Sequence, residues 1–431
     1  MKKCLIIGGG IAGLTSAVYL SKAGIQVEII EASPKLGGRA YSFKDNITGT
    51  VIDNGQHILM GCYIETLKFI KLIKAEDNLI YQKKLFINFL KPHFRIFQLK
   101  SFPLFYPLNL MLGLLRYNAV KFSERIMILS LLIKIPFYSA KKLRDLSVND
   151  WLIKEHQNEN IRKAFWDIIA VGTLNCNTKD ASAVVFVHIL KKIFFGGNSA
   201  AKIILPAYGL TETFCNHAEK FIEDYDGIIS FSENVISLKY DNDLITELVS
   251  SKRNVSDFDY IISSVPIKEL EKFSAGILQL KTNFIYSPII SIHIWLTDNI
   301  LEKSFYALIG SKVHWIFNHG THLTLVISDA NELINMSSEN IFSVVINEIE
   351  FYTPLKKETV SHYKVIKEKR ATFIPSLFIQ NERPDSKTRF KNFYLAGDWI
   401  NTGLPSTIES AVLSGKIAAN EIISLINQEI S

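Results

Sequence analysis

The sequence is short of cysteine, of long apolar runs and of repeats. Its four cysteines, Cys4, Cys62, Cys176 and Cys215, are scattered through 431 residues, with no C-x-x-C or Cys/His ligand spacing. A disulfide scaffold and a structural zinc site are thereby excluded, no metal is expected, and a reducing cytoplasm suits the chain. The long uncharged run Ser101 to Leu115 contains two prolines and an asparagine and falls short of the ~20 apolar residues a spanning helix needs. No basic n-region followed by an apolar stretch opens the chain, so secretion is not expected. With 48% hydrophobic and 21% charged residues, neither a disordered chain nor a fibre fits. The length exceeds one ordinary core, and two intimately joined domains are expected.

Acidic residues are nearly missing from one block. Between Lys83 and Arg144 there are twelve Lys/Arg and a single acid, Glu124, in a chain whose net charge is +6. Aromatics, among them Phe105, Phe122 and Phe137, are interleaved with the cations. A plain solvated face, a nucleic-acid surface and monotopic membrane contact are the three readings. No recognised nucleic-acid module accompanies the charge, and no nucleic-acid partner is expected. Apolar side chains entering a headgroup boundary beside Lys and Arg fit best, which predicts a cytoplasmic protein held peripherally on the inner face of the cell membrane through residues 83–144.

The chain opens with the apolar run Cys4 to Ile7, which reads as a buried parallel strand. Helical spacing from Ile11 to Lys22 and a second strand from Gln26 to Ile30 complete a βαβ unit. Residues 64 to about 200 read as mostly helical. Val235–Tyr240 and Tyr260–Val265 read as strands, Ile289–Leu296 and Leu323–Ser328 as antiparallel strands of a second domain. Phe393–Ala396 is again a buried strand, and Thr407–Leu425 a helix. The expected class is α/β, a Rossmann-type cofactor domain with a discontinuous mixed α+β substrate domain. The first is assigned residues 1–70, 201–266 and 386–431, the second 71–200 and 267–385.

Three motifs carry chemistry. Gly8-x-Gly10-x-x-Gly13 lies between strand and helix, giving a tight turn, room for a pyrophosphate, and close helix packing, with Ile11 and Ala12 in the helix's first turn. Free amides and the positive dipole end there favour phosphate. Glu31, followed by Ala32, ends the second strand where a carboxylate takes ribose hydroxyls. Gly37-Gly38-Arg39 is the second motif, typical of FAD-binding chains, with Arg39 offering a fork to phosphate oxygens. Gly397-Asp398 ends the third, ahead of Ser406-x-x-Glu409, which reads as a capping box. The helix it announces, starting at Thr407 and Ile408, could turn its N-terminus to the flavin N1/C2=O edge.

Together these motifs resemble the amine oxidase and phytoene desaturase superfamily of flavoproteins, which implies that the Rossmann-type unit is a glutathione-reductase-like FAD-binding domain. Glu233-Asn234-Val235 resembles that family's strand whose Val contacts adenine, and Asp259 to Pro266 its return strand. Asp53-Asn54-Gly55-Gln56-His57, the segment from Ala396 to Glu409, Leu174-Asn175 before Ala181-Ser182-Ala183, and Pro206 before Gly209-Leu210 are similar to the squalene-associated FAD-dependent desaturases, the hydroxysqualene dehydroxylases. The resemblance spans essentially the whole chain. It implies non-covalent FAD, since no cysteine follows Cys215 near the closing segment. It also implies a long isoprenoid substrate, reductive dehydroxylation of hydroxysqualene to squalene, and the other enzymes of squalene and hopanoid synthesis as partners. His57 or Asp53 would then supply a proton or simply hold the turn, and Gln56 would meet the flavin ring or belong to the loop. A carotenoid desaturase or isomerase, an amine oxidase, and a non-catalytic prenyl-lipid binder are the alternatives. Thr407 stands where amine oxidases commonly carry a cage aromatic, and the intact cofactor motifs weigh against a carrier without catalysis.

Overall fold

The apolar run Lys3–Ile7 becomes the central strand of a five-stranded sheet. Apolar on both faces, it must be covered on both, and Cys4, Leu5 and Ile6 are fully buried. The computed structural model describes residues 1–274, 276–278, 280, 283–299 and 301–430. Across this sheet the strands run Ile228–Ser230, Gln26–Ile30, Lys3–Ile7, Tyr260–Ser263 and Phe393–Leu395, every neighbouring pair parallel. Helix Ile11–Lys22 packs against the closing helix Ile408–Ile430. The approach is close, because a Cβ on Gly415 would lie 2.3 Å from the carbonyl oxygen of Ala12, and Ser16 Oγ donates to Gly415 O. The two ends of the chain thus form one layered unit, the Rossmann-type α/β class expected from the glycine turn.

Strand Val235–Asp241 does not join that sheet. It pairs antiparallel with Leu244–Ser250, which pairs with Asn254–Val255. A second, seven-stranded sheet runs Val360–Phe373, Tyr286–Leu296, Leu323–Ile327, Trp315–Asn318, Phe305–Leu308, Phe86–Lys91 and Arg95–Lys100. All its pairs are antiparallel except Phe305–Leu308 with Phe86–Lys91. Helix Ser338–Tyr352 buries Ile341, Val345 and Ile349 with Ile292, Ile294 and Leu325 of the sheet.

Residues 64 to 200 are less helical than expected. Leu79–Tyr81 pairs with Ile203–Pro206, and Phe86–Lys91 with Arg95–Lys100 forms a hairpin at the sheet edge. Pro92 breaks any helix there, His93 and Phe94 take positive φ (62° and 53°) to turn the chain, and aromatic or branched residues flank the turn. Beyond the hairpin, helices Val148–Lys154, Asp167–Leu174 and Ala183–Phe195 share a core around Trp151, Trp166 and Phe186.

Candidate active site

The glycine turn and the second glycine pair are zipped together. Gly8 takes φ +101°, and Gly37 N donates to Gly9 O at 2.9 Å. A Cβ on Gly38 would stand 3.3 Å from the Gly10 Cα, whereas a Cβ on Gly10 would meet nothing nearer than the Gly38 Cα at 4.0 Å. Gly13 differs, since its Cβ would sit 2.0 Å from Gly8 O. No acidic residue occupies the first turn of Ile11–Lys22, so its free amides face no competing carboxylate. Glu31 anchors the turn from the side: one oxygen accepts from Gly9 N at 2.5 Å, the other from Ser33 N at 2.7 Å. Each oxygen keeps a lone pair for a ribose hydroxyl.

A cavity of about 560 Å³ extends from this turn. Gly8, Gly10, Ile11, Ala12, Glu31, Ala32, Gly38, Arg39, Gln56, His57, Val235, Gly397, Asp398, Thr407 and Ile408 all border it. Gly13 and Asp53 do not. Gly13 acts through packing. Asp53 lies behind the loop, where one carboxylate oxygen accepts from Ser42 Oγ at 2.6 Å and from Leu210 N at 3.0 Å. That commitment holds the loop's base and leaves His57 as the member of the pair facing the cavity.

Arg39 is not a free fork. Its Nη2 donates to Asp398 Oδ1 at 2.6 Å and its Nη1 to Ala371 O at 2.7 Å, joining the end of the parallel sheet to strand Val360–Phe373. Two of its five N–H groups serve this clamp, because a buried carboxylate at Asp398 requires a partner, while the side chain still borders the cavity. Ser406 Oγ donates to the other Asp398 oxygen, so Ser406 does not cap the closing helix. Thr407 does, accepting from Ser410 N at 3.2 Å. Glu409 leaves the expected capping box as well and accepts from Glu65 N, Thr66 N and Thr66 Oγ1. Serine and glutamate at cap spacing found better partners in the tertiary structure.

Arg383 was invisible in the sequence pattern. Buried at 4% exposure, it donates to the carbonyls of Asp398, Trp399, Ile400 and Leu404. Burial pushes its pKa down to about 10, so it stays charged at neutral pH beneath the segment that starts the closing helix. Nothing local to Arg383 signals this role.

His57 Nδ1 lies 2.7 Å from Gly55 O. A carbonyl only accepts, so Nδ1 carries the proton and Nε2 of the neutral ring is an acceptor. Burial holds its pKa below the ordinary histidine value, ahead of the opposing hydrogen bond to Gly55. Beyond His57 the cavity turns apolar, walled by Ile58, Tyr63, Ile289, Trp315, Phe317 and Val326. Ala371 and Thr372 border it too, from a strand distant in sequence.

The glycine cradle, the acid-free helix start and the Glu31 carboxylate fit an adenine dinucleotide, and the Gly55–His57 loop with the Thr407 helix start could flank a flavin ring. A family model described as flavin containing amine oxidoreductase matches residues 11–423. The chain belongs to the flavin-containing amine oxidoreductase family. It is an FAD-dependent oxidoreductase. Within the family it is 28% identical over 425 residues to the hydroxysqualene dehydroxylase of Zymomonas mobilis, covering 97% of this chain and 98% of that one. The Sinorhizobium fredii protein of the same name is 26% identical, with 99% of each chain covered. The 15-cis-phytoene desaturase of Glycine max is 24% identical over 97% of this chain and 79% of its own. A solved putrescine oxidase variant superposes with a TM-score of 0.75 at 16% identity, covering 98% of this chain and 99% of its own; that likeness shows the fold.

Proposed function

We propose that this flavoprotein removes the allylic hydroxyl of hydroxysqualene reductively and releases squalene. The observation that carries the reading is the end-to-end similarity to three proteins named hydroxysqualene dehydroxylase, at 25–28% identity. The cavity agrees with it. An apolar wall suits a long hydrocarbon, and His57 stands in the loop that borders the same cavity, beside Tyr63 of the wall. When bound, reduced FAD supplies the hydride. The protein's part is to align the chain, exclude water that would trap an allylic cation, and manage one proton. Neutral His57 accepts from the substrate hydroxyl at Nε2 and fixes its orientation. Hydroxide leaves poorly, so the oxygen must be protonated, and His57 can do that only as imidazolium. Its lowered pKa makes that form scarce at pH 7 and more abundant as pH falls.

The test is conversion of hydroxysqualene by protein carrying reduced FAD under anaerobic conditions. Squalene should form, faster at pH 6 than at pH 8, and His57→Gln should lower the rate ~10²-fold with flavin content unchanged while flattening that slope. Loss of flavin together with activity would make the loop structural. The similarity to 15-cis-phytoene desaturase supports a second reading, oxidation of an isoprenoid. New double bonds made by the oxidised protein, with no squalene from the reduced one, would select it.

A further inference from the structure

We propose that the surface made by residues 102–107, the helices Leu108–Leu115 and Phe122–Lys134 and the turn Ile135–Phe137 that follows docks on an anionic lipid bilayer, with a headgroup phosphate seated in the hollow between Lys84, Lys100 and Arg116. Among the described residues no helix is long and apolar enough to cross a membrane, so the contact is with one face of the bilayer.

Charge is the first support. Glu124, the sole acid between Lys83 and Arg144, is turned inward at 6% exposure and accepts from Lys121 N, Asn158 Nδ2 and Asn160 Nδ2. Outside, Lys83, Lys84, Lys100, Arg116, Lys121, Lys141, Lys142 and Arg144 are exposed and form no ion pair among the described residues. The sequence block was merely rich in cations; folding has removed its one negative charge from the surface.

Apolar exposure is the second. Phe105, Phe122 and Phe137 are 72%, 63% and 79% exposed. Leu108 and Leu112, one turn apart, are exposed on the first helix, and Phe122 with Ile126 on the second. The two helices pack on each other. Large apolar side chains among unpaired cations are what a headgroup boundary accommodates.

The hollow is the third. It measures about 710 Å³, and its lining includes Lys84, Lys100, Arg116, Phe97 and Phe102 but no carboxylate. The Arg116 guanidinium stands 4.3 Å above the Phe102 ring, which fixes its fork. A phosphate would meet three cations there, and its glycerol end the rings. A nucleic acid offers the same phosphates but would leave Leu104, Leu108 and Leu112 in water, which is why the bilayer is favoured.

Flotation of the FAD-loaded protein tests this, without any need of substrate. With vesicles of phosphatidylcholine and phosphatidylglycerol at low salt the protein should float, and with phosphatidylcholine alone it should not. K84Q/K100Q/R116Q should weaken attachment on the order of a hundredfold, from roughly fivefold per cation. F105S/F122S/F137S should abolish the part that resists high salt. All six positions are exposed, and unchanged flavin absorbance with an unchanged melting temperature will confirm that both variants fold. If either variant is unfolded, the single changes R116Q and F105S carry the same test with smaller shifts. Failure to float on anionic vesicles, equal binding to neutral ones, or full binding by both variants overturns the proposal. So does tighter binding to a nucleic-acid duplex than to anionic vesicles, or binding of glycerol phosphate in solution with no vesicle attachment.

Discussion

A methyl group placed on Gly10 or on Gly13 has opposite consequences, although the two glycines belong to one motif. At Gly10 the added carbon enters open space on the cavity side of the turn, where a pyrophosphate would lie. At Gly13 it runs into Gly8 O at 2.0 Å and Ser264 Oγ at 2.6 Å. Gly10→Val should therefore leave the melting temperature of the flavin-free protein near wild type while the purified protein is colourless. Gly13→Val should cost ~3 kcal/mol of stability whether or not flavin is present. Flavin-to-protein absorbance and thermal melts of the flavin-free forms separate the two. A yellow Gly10→Val protein at full occupancy would remove the phosphate cradle from the argument. The same residue-scale reasoning explains Asp53 and Arg39. Both carry charges that the sequence could offer to a ligand, and both are already engaged by protein groups.

At the scale of elements, the hairpin Ser42–Lys44 with Val51–Asp53 leads into the cavity loop and is held to the large sheet by a cluster of rings. His293 Nε2 is 3.2 Å from Asp53 O, Trp295 Nε1 donates to Thr50 Oγ1, and His322 stacks on both Trp295 and His319. On the same side Lys364 Nζ donates to Asp45 Oδ1, and His362 Nε2 lies 3.5 Å from Asp45 Oδ2. Burial, and then neighbouring rings, pushes His293 down to about 4 and His322 to about 3; burial alone brings His314 to about 4. Unfolded histidine titrates near ~6.5, so between that value and about 4 the unfolded chain binds protons the folded one refuses. Stability is then fully present above ~6.5 and is lost as pH falls toward 4. Melting temperatures should drop steeply from pH 7 to pH 4.5, with flavin released in parallel, and His322→Gln should make the drop shallower. A melting temperature flat across that range would contradict the buried neutral cluster. None of this was legible in the sequence, where nothing places His293, Trp295 and His322 beside the 42–53 hairpin. The βαβ unit and the closing strand were legible because glycine turns and short apolar runs are local signals. The 86–100 hairpin and Thr372 at the cavity depend on pairings distant in sequence, and the capping box gave way because Glu409 found the helix start at Glu65.

For the molecule as a whole, the cavity is assembled from pieces near residues 10, 31, 39, 57, 235, 372 and 407, which no single stretch of chain could hold in place. FAD binding should accordingly stabilise the entire fold, by ~2.7 kcal/mol when free FAD stands at a hundred times Kd. The contact that registers the two ends is between helices Ile11–Lys22 and Ile408–Ile430, where Gly415 meets Ala12 O, Thr15 Cβ and Ser16 N. Gly415 does not border the cavity. Ala12, Thr407 and Ile408, on the same two helices, do. Gly415→Val must push the helices apart, and with them the phosphate-facing turn and the helix start beside the ring. FAD affinity, titrated into flavin-free protein by fluorescence quenching, should fall tenfold or more, about 1.4 kcal/mol, although the substituted side chain touches no cofactor. Gly415→Ala, smaller by two methyl groups, should lose less. If Gly415→Val is folded and binds FAD as tightly as wild type, the helix contact is not what sets the site, and the register between the ends must come from other ties, the Arg39–Asp398 clamp and the Glu409 bonds to Glu65 and Thr66.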